Sequence, residues 1–239
     1  MTSVASKETH PQTAKKKRAV VTGASSGIGK AVALRLLDEG WEVFGISRSP
    51  SRIDSVDFRS IQADIGDFAQ LRAALAELPE IDGIAHCAGL MRTAPLGALK
   101  SEDGAAMWAI HVEAAAVLVD TLVDRIATGG RIVLMGSRTS SGAAGRSQYV
   151  ATKAALLGMA RSWAAELPPK RVTVNVVAPG ATETPMLLDP KRVTTPPKQP
   201  PMGRFIRPEE VAGTVAFLFG ADAGMITGQQ IVLCGGASL

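Results

Sequence analysis

A chain of 239 residues with 46% hydrophobic residues is long and apolar enough to bury a large core, which excludes a mostly disordered protein. Its formal net charge of +4 resides in the first 18 residues, where five basic side chains oppose the single acid Glu8. Because the remaining chain is formally neutral, no broad nucleic-acid-binding surface is indicated. We interpret residues 1–17 as a flexible, solvated basic tail, with nucleic-acid binding through residues 15–18 as the alternative.

The sequence also argues against membrane and metal sites. We find no apolar run that approaches the ~20 residues of a membrane span, and the polar stretch from Met1 to Gln12 lacks the apolar segment of a secretory signal. Cys87 and Cys234 lie far apart, and the three histidines match no metal-ligand spacing. We therefore expect a soluble cytoplasmic protein with reduced thiols and no metal.

From residue 18 onward, short β-branched runs alternate with longer helical stretches, which is typical of βαβ units. This alternation predicts a single α/β domain over residues 18–239, with a doubly wound, seven-stranded, mainly parallel sheet. The strands are placed near 18–22, 42–47, 59–63, 81–86, 130–136, 172–178 and 229–233. The helices are placed near 27–39, 67–78, 105–127, 146–166 and 208–219, with Gly40, Gly129-Gly130 and Pro168-Pro169 as helix ends.

The first strand runs directly into a glycine-rich turn that precedes a helix. The turn reads Gly23-Ala24-Ser25-Ser26-Gly27-Ile28-Gly29. Glycines at a strand–helix junction let the backbone bend tightly and approach a pyrophosphate, which amide groups and the positive end of the helix dipole then stabilise. The turn therefore predicts a dinucleotide site, although a glycine cluster alone is weak evidence.

Tyr149 and Lys153 lie four residues apart on a predicted helix, and Ser137 ends a predicted strand twelve positions upstream. A tyrosine with an unperturbed pKa of ~10 is a poor base at neutral pH unless a nearby cation stabilises the phenolate. Residues at i and i+4 share a helix face, so Lys153 can supply that cation. Ser137 can hold a substrate oxygen beside the phenol. This spacing by itself also arises by chance.

A proline-rich stretch lies between Thr184 and Arg207, with six prolines. So many prolines exclude a regular element, and ligands of this sheet type bind outside the carboxyl ends of the strands. We predict a loop or short substrate lid over about residues 185–206. A surface excursion without a role is the alternative.

Together, the glycine turn and the trio Ser137, Tyr149 and Lys153 resemble the short-chain dehydrogenase/reductase family over roughly residues 18–239. The resemblance implies a Rossmann fold and hydride transfer between a nicotinamide cofactor and an alcohol or carbonyl substrate. It implies that Tyr149 exchanges the proton, Lys153 lowers the tyrosine pKa and holds the nicotinamide ribose, and Ser137 orients the substrate. The cofactor-binding positions that it implies are Gly23, Ser25, Ser26, Gly27, Ile28, Gly29, Ser47, Arg48, Asp64, Ile65, Ala88, Gly89, Tyr149, Lys153, Pro179, Gly180, Thr182 and Thr184.

The end of the second strand bears on the choice of cofactor. NAD-dependent relatives usually carry an acid there, which repels a 2′-phosphate, whereas this chain reads Ser47-Arg48. Arg48 can pair with that phosphate or stack on adenine, so we predict NADP, with NAD as the alternative if Arg48 faces solvent.

Two histidines depart from the family pattern. His86-Cys87-Ala88-Gly89 stands where the family usually has Asn-Asn-Ala-Gly, and we expect a buried, satisfied His86. His111 occupies the place of an asparagine that commonly anchors a proton-relay water, so it either binds that water or marks a weakened relay. We include His111 among the candidate catalytic residues. Thr139, Ser140 and Ser141 are weaker substitutes for Ser137.

We hypothesise a small or medium alcohol or carbonyl substrate. Arg92, Arg138 and Arg146, with Lys191, Arg192 and Lys198 on the predicted lid, raise the option of an anionic substrate, although arginines on loops are usually solvated. The alternative function is a catalytically weakened nucleotide-binding sensor or scaffold of the same fold. The resemblance also implies a homotetramer or homodimer formed by the helices near 105–127 and 146–166.

Overall fold

The computed structural model describes residues 15–188 and 196–239. Seven parallel strands form one sheet in the order β3-β2-β1-β4-β5-β6-β7, so the predicted doubly wound sheet is confirmed. The strands are β1 (Arg18–Thr22), β2 (Glu42–Ser47), β3 (Phe58–Gln62), β4 (Ile81–His86), β5 (Ile126–Met135), β6 (Thr173–Pro179) and β7 (Gln230–Leu233). The strand order reverses between β1 and β4, and a ligand crevice is expected outside the carboxyl ends of these two strands.

Helices cover both faces of the sheet. They are α1 (Gly27–Asp38), α2 (Phe68–Ala76), α3 (Ser101–Trp108), α4 (Ala114–Leu122), α5 (Ser147–Glu166) and α6 (Pro208–Phe219). Side chains of α2, α4 and α5 share one core cluster with the sheet, and those of α1 and α6 share the other. The central strands are buried on both faces, which explains their nearly continuous apolar runs; all seven residues of β6 are buried.

Strand β5 begins four residues before the predicted position, at Ile126. The prediction that the helix continues to residue 127 and ends at Gly129-Gly130 is wrong, because α4 ends at Leu122 and one 3₁₀ turn leads into the strand. Gly129 has φ 82°, and the β4–β5 register shifts nearby. A glycine pair marks a bulge within a strand as well as a helix end, and the sequence alone did not distinguish the two.

The helix predicted near 105–127 begins earlier, at Ser101, and is interrupted by a π turn at Ala109–Glu113. This run, Ser101–Arg125, is apolar and long enough to cross a membrane by length and composition, contrary to the expectation from the sequence. A helix buried in a protein core passes the same test. Ala114, Leu118 and Leu122 lie in the core against the sheet.

The basic residues next to β1 are bound to the domain itself. Lys15 lies 2.6 Å from Glu80, Lys16 lies 2.7 Å from Asp57, and the Lys17 ammonium lies 5.3 Å from the centre of the Trp41 ring. Exposed ion pairs contribute little stability, but these partners occupy the charges that nucleic-acid binding would use.

Within residues 184–188 and 196–207, the described parts of the proline-rich stretch, no helix or strand forms, as predicted. The Met202 amide donates to the Gly235 carbonyl at 3.1 Å, and Ile206 forms an isolated parallel bridge with Thr182. Lys191 and Arg192, expected on the lid, lie outside the described residues.

Candidate active site

The glycine turn joins β1 to α1 beside the point where the strand order reverses. A Cβ atom at Gly23, which has φ 73°, would lie 2.9 Å from the Ala88 Cα, and one at Gly29 would lie 2.3 Å from the Gly23 carbonyl oxygen. No side chain fits at either position, so glycine is required for the close approach of the turn to the chain after β4.

The glycine-turn cavity opens above this turn. It is lined by the turn, by the ends of β2 and β3, by the segment after β4 and by Thr184. The predicted positions on its wall are Gly23, Ser25, Ser26, Gly27, Ile28, Gly29, Ser47, Arg48, Asp64, Ile65, Ala88, Gly89 and Thr184. A backbone-lined cradle at a helix N-terminus fits the pyrophosphate of a dinucleotide.

The end of β2 presents Ser47 and Arg48 to this cavity without an acidic group at either position. The Ser47 hydroxyl is buried and donates to the Ser49 carbonyl at 2.9 Å. Gln62 donates to the Arg48 carbonyl at 2.9 Å, which fixes the backbone while the Arg48 side chain remains exposed. The structure therefore provides a cation at the cavity wall where NAD-dependent relatives of the resembled family carry an acid.

A second cavity, the tyrosine cavity, adjoins the first and shares Ile28, Gly89 and Thr184 with it. It measures about 350 Å³. The remaining predicted site residues line it: His111, Ser137, Tyr149, Lys153, Pro179, Gly180 and Thr182. These residues, up to 71 positions apart in sequence, meet here because the carboxyl ends of parallel strands share one edge of the sheet.

Lys153 is buried beneath Tyr149. Its ammonium group donates to the Met135 carbonyl at 2.8 Å and lies 5.8 Å from the centre of the Tyr149 ring. Burial lowers the pKa of Lys153 to about 7, because removing the ammonium from water disfavours its charged form. A cation held here favours the phenolate form of the tyrosine beside it.

Ser137 is buried at the wall of the same cavity. Its hydroxyl lies 2.9 Å from the Thr139 hydroxyl and accepts the Thr139 amide at 3.2 Å. Thr139 also lines the cavity, although we ranked it below Ser137 as a substrate contact. The two hydroxyl groups are coupled, so a substrate oxygen bound by one of them affects the orientation of the other.

His86 is buried and satisfied, as predicted. Its Nδ1 lies 3.0 Å from the Thr22 hydroxyl, which also accepts the amides of Cys87 and Ala88, and its Nε2 lies 3.1 Å from the Ile110 carbonyl. These partners require a neutral ring that accepts at Nδ1 and donates at Nε2. Burial, followed by the charge of Lys153, lowers the pKa of His86 to about 4.

His111 lies in the π turn, fully buried, with both ring nitrogens bonded to the protein. Nε2 accepts the Leu90 amide at 3.1 Å, and Nδ1 lies 2.8 Å from the Thr152 hydroxyl, which donates to the Tyr149 carbonyl at 2.8 Å. The His111 ring meets the edge of the Tyr149 ring at a centroid distance of 5.7 Å. Burial and the Lys153 charge hold the pKa of His111 well below its usual value. Neither nitrogen is left to bind a relay water without losing one of these bonds.

Sequence reasoning missed several wall residues, among them Leu90, Met91, Met135, Gly136 and Ala181. All of them follow or end a central strand, and this position was the signal that could have identified them. Across the described residues, no group of three or more His, Cys, Asp or Glu side chains could hold a metal ion.

The chain is similar to known proteins over most of its length. The family model described as Enoyl-(Acyl carrier protein) reductase matches residues 23–238. The chain is 32% identical over 235 residues to a 3-oxoacyl-[acyl-carrier-protein] reductase of Thermotoga maritima, covering 91% of this chain and 96% of that one. It is 34% identical over 240 residues to the Escherichia coli (strain K12) protein of the same name, covering 92% and 96%.

A solved structure with a bound cofactor has the same fold. A short chain dehydrogenase from Burkholderia cenocepacia J2315 in complex with NADP superposes with a TM-score of 0.81 at 31% identity, covering 93% of this chain and 98% of that chain.

Proposed function

Because the chain belongs to the short-chain dehydrogenase/reductase family of oxidoreductases, which act on carbonyl and hydroxyl groups, we propose that it transfers a hydride between NADP(H) and a small or medium alcohol or carbonyl compound. One observation carries the proposal: Tyr149, Lys153 and Ser137 line a cavity that shares wall residues with the glycine-turn cavity. A dinucleotide held by the glycine turn would reach this shared wall with its nicotinamide end.

When bound, the dinucleotide supplies or accepts the hydride at its nicotinamide ring. In the reducing direction, the Tyr149 phenol gives its proton to the substrate oxygen as the carbonyl carbon gains the hydride, and Lys153 stabilises the phenolate that remains. Ser137 donates a hydrogen bond to the same oxygen. In the oxidising direction, the phenolate removes the proton from the alcohol.

The glycine turn, Asp64, Ile65, Ala88 and Gly89 would hold the adenosine and pyrophosphate parts of the cofactor. Pro179, Gly180, Thr182 and Thr184 would hold the nicotinamide end, with Lys153 on the ribose. Arg48 supports NADP, because a guanidinium at the end of β2 can pair with the 2′-phosphate. The NADP complex of the Burkholderia relative is consistent with this assignment.

The test of activity uses the purified protein with NADPH and a panel of aldehydes, ketones and 3-oxo esters. We expect absorbance at the nicotinamide band to fall, and Tyr149→Phe to slow it by about 10²–10⁴-fold, the usual contribution of a positioned acid–base group. Loss of NADPH at an equal rate in both proteins would refute the proposal. If the protein binds NADPH but reduces no compound, the alternative of a sensor or scaffold of the same fold gains support.

The test of cofactor choice compares the thermal shifts that NADP and NAD produce. We expect Arg48→Ala to weaken NADP binding by roughly tenfold or more and to leave NAD binding nearly unchanged. Arg59→Ala, at an exposed arginine of β3 outside both cavities, is the matched control. Equal losses for the two nucleotides would contradict the choice of NADP.

We also propose a homodimer or homotetramer in which α4 and α5 pack against copies of themselves. A groove between these helices is lined partly by the apolar side chains of Val117, Val123, Trp163 and Leu167, which supports the proposal. Light scattering coupled to size-exclusion chromatography tests it, and a monomer at micromolar concentration would contradict it.

A further inference from the structure

We propose that Arg146 forms an anion subsite in the tyrosine cavity and that the substrate is an oxo acid or hydroxy acid whose carboxylate binds there. This inference rests on the proposed function and adds the chemical class of the substrate to it.

The described wall of the tyrosine cavity is positively charged. Four cationic side chains line the tyrosine cavity, those of Arg138, Arg146, Lys153 and Lys198, and no aspartate or glutamate among the described residues does so. A wall with this charge attracts anions and disfavours cationic substrates.

Arg146 differs from the other three cations of this wall in its hydrogen bonding and exposure. The Lys153 ammonium donates to the Met135 carbonyl, the Arg138 guanidinium donates to the Ala237 carbonyl at 3.1 Å, and Lys198 is exposed to solvent. Arg146 is half-buried, and in the described part of the chain its guanidinium has no hydrogen bond and no ion pair.

Two other half-buried arginines of this protein have partners for their guanidinium groups. Arg18 lies 2.8 Å from Glu42, and Arg125 donates to the carbonyls of Ala76 and Leu78. Burial, followed by the nearby charge of Arg138, lowers the pKa of Arg146 from its ordinary value, but the guanidinium stays charged. A partly desolvated cation without a partner is costly, and a bound carboxylate would offset that cost through a bidentate pair.

Arg146 also lies close in sequence to Tyr149, the proposed proton donor. Arg146 immediately precedes α5, and Tyr149 follows three residues later, so their side chains leave the backbone within one helical turn. A phenolate at Tyr149 would raise the pKa of Arg146. This proximity favours short substrates, in which the carboxylate is two or three bonds from the carbonyl carbon.

The proposed reduction adds one hydride and one proton to the carbonyl group of the substrate. A 3-oxo acid bound through its carboxylate gains a hydride at the carbonyl carbon from the reduced nicotinamide and a proton at the carbonyl oxygen from Tyr149. The products are the 3-hydroxy acid and the oxidised cofactor, and the phenolate then recovers its proton from solvent.

The kinetic test measures kcat/KM with NADPH for acetoacetate and for methyl acetoacetate, its neutral ester. We expect the parent protein to prefer the anion by about tenfold or more, and Arg146→Met to reduce that ratio by at least tenfold. Arg161→Met, an exposed arginine farther along α5, is the matched control and should keep the parent ratio. A parent protein that reduces the ester as well as the acid, or an unchanged ratio in Arg146→Met, would overturn the subsite.

A binding measurement separates this inference from the proposed function. Malonate cannot be reduced, and its binding to the NADP-loaded protein can be followed by calorimetry. We expect Arg146→Met to weaken malonate binding by at least tenfold. If malonate binding depends on Arg146 but no carbonyl compound consumes NADPH, the proposed function fails and the subsite stands. If ketones are reduced but malonate binds both proteins equally or neither of them, the subsite fails and the proposed function stands.

Discussion

The floor and the rim of the tyrosine cavity differ in how their polar groups are satisfied. On the floor, His111 and Lys153 are buried, and each bonds to the protein at short distance. On the rim, the side chains of Arg146 and Lys198 have no hydrogen bond or ion pair within the described residues. A buried network whose hydrogen bonds are all satisfied holds a single geometry. Groups that face a ligand can instead select which ligand binds. We infer that the floor sets the chemistry and the rim sets the substrate.

The largest expected effect comes from removing the buried cation of the floor. Lys153→Met should reduce kcat by at least about 10²-fold, because the phenolate of Tyr149 loses its stabilising charge. The same change should raise the free energy of unfolding of the cofactor-free protein at pH 7 by about 1–3 kcal/mol, since a buried ammonium is replaced by an apolar side chain of similar volume. Denaturant unfolding and steady-state kinetics measure the two effects.

The pH dependence sharpens that prediction. The pKa of Lys153 is about 7 in the folded protein and 10.5 ordinarily, so the unfolded chain binds more protons between these values. Because of this group, the free energy of unfolding of the parent protein should rise as the pH increases from about 7 to 10.5. The Lys153→Met protein should lack that rise. A Lys153→Met protein that is less stable than the parent and fully active would contradict the role given to Lys153.

The next effect concerns the hydroxyl at the end of β1. Thr22→Val removes the acceptor of the Cys87 and Ala88 amides and the donor to His86, so buried groups are left unsatisfied. We expect the free energy of unfolding to fall by about 2–4 kcal/mol. Thr173→Val is the matched control, because Thr173 is also a buried strand threonine but takes no part in this network, and it should cost less than half as much.

Acidification should also destabilise the buried pair of His86 and Thr22. The pKa of His86 is about 4 when folded and 6.5 ordinarily, so the unfolded chain binds the extra proton between these values. Stability contributed by the neutral ring is present above pH 6.5 and is lost as pH falls towards 4, by roughly 3 kcal/mol for this group. His86→Asn, measured by denaturant unfolding across this range, should flatten the curve. An unchanged slope would show that other groups cause the loss.

The smallest expected effect tests whether His111 positions Tyr149. His111→Leu should reduce kcat by roughly tenfold with little change in KM, because Thr152 and the Leu90 amide lose their shared partner. Thr152→Val should reduce kcat by a similar factor, and the double variant should be no worse than either single variant. Additive losses would indicate that His111 and Thr152 act separately. Recovery of kcat in His111→Asn would show that a smaller amide suffices at this position.

Much of this molecule could be predicted from local patterns. The glycine turn, the i, i+4 pair of Tyr149 and Lys153 and the apolar runs of the strands each specify a structure within a few residues of sequence. The π turn at Ala109–Glu113 could not be predicted in this way, because no local sequence pattern marks these residues as a π turn. The Gly129 bulge was missed for a related reason, since its position depends on the pairing of β5 with β4.

The sequence by itself predicted the order of strands and helices along the chain, the glycine turn and the i, i+4 pair of Tyr149 and Lys153, because those depend on residue type and short spacing. Only the tertiary structure decided that both nitrogens of His111 are bonded to the protein and that Arg146 lacks an ion-pair partner among the described residues. The partners of these side chains come from other strands and loops. Whether a buried or half-buried polar group finds a hydrogen-bond or ion-pair partner depends on which distant segments pack beside it.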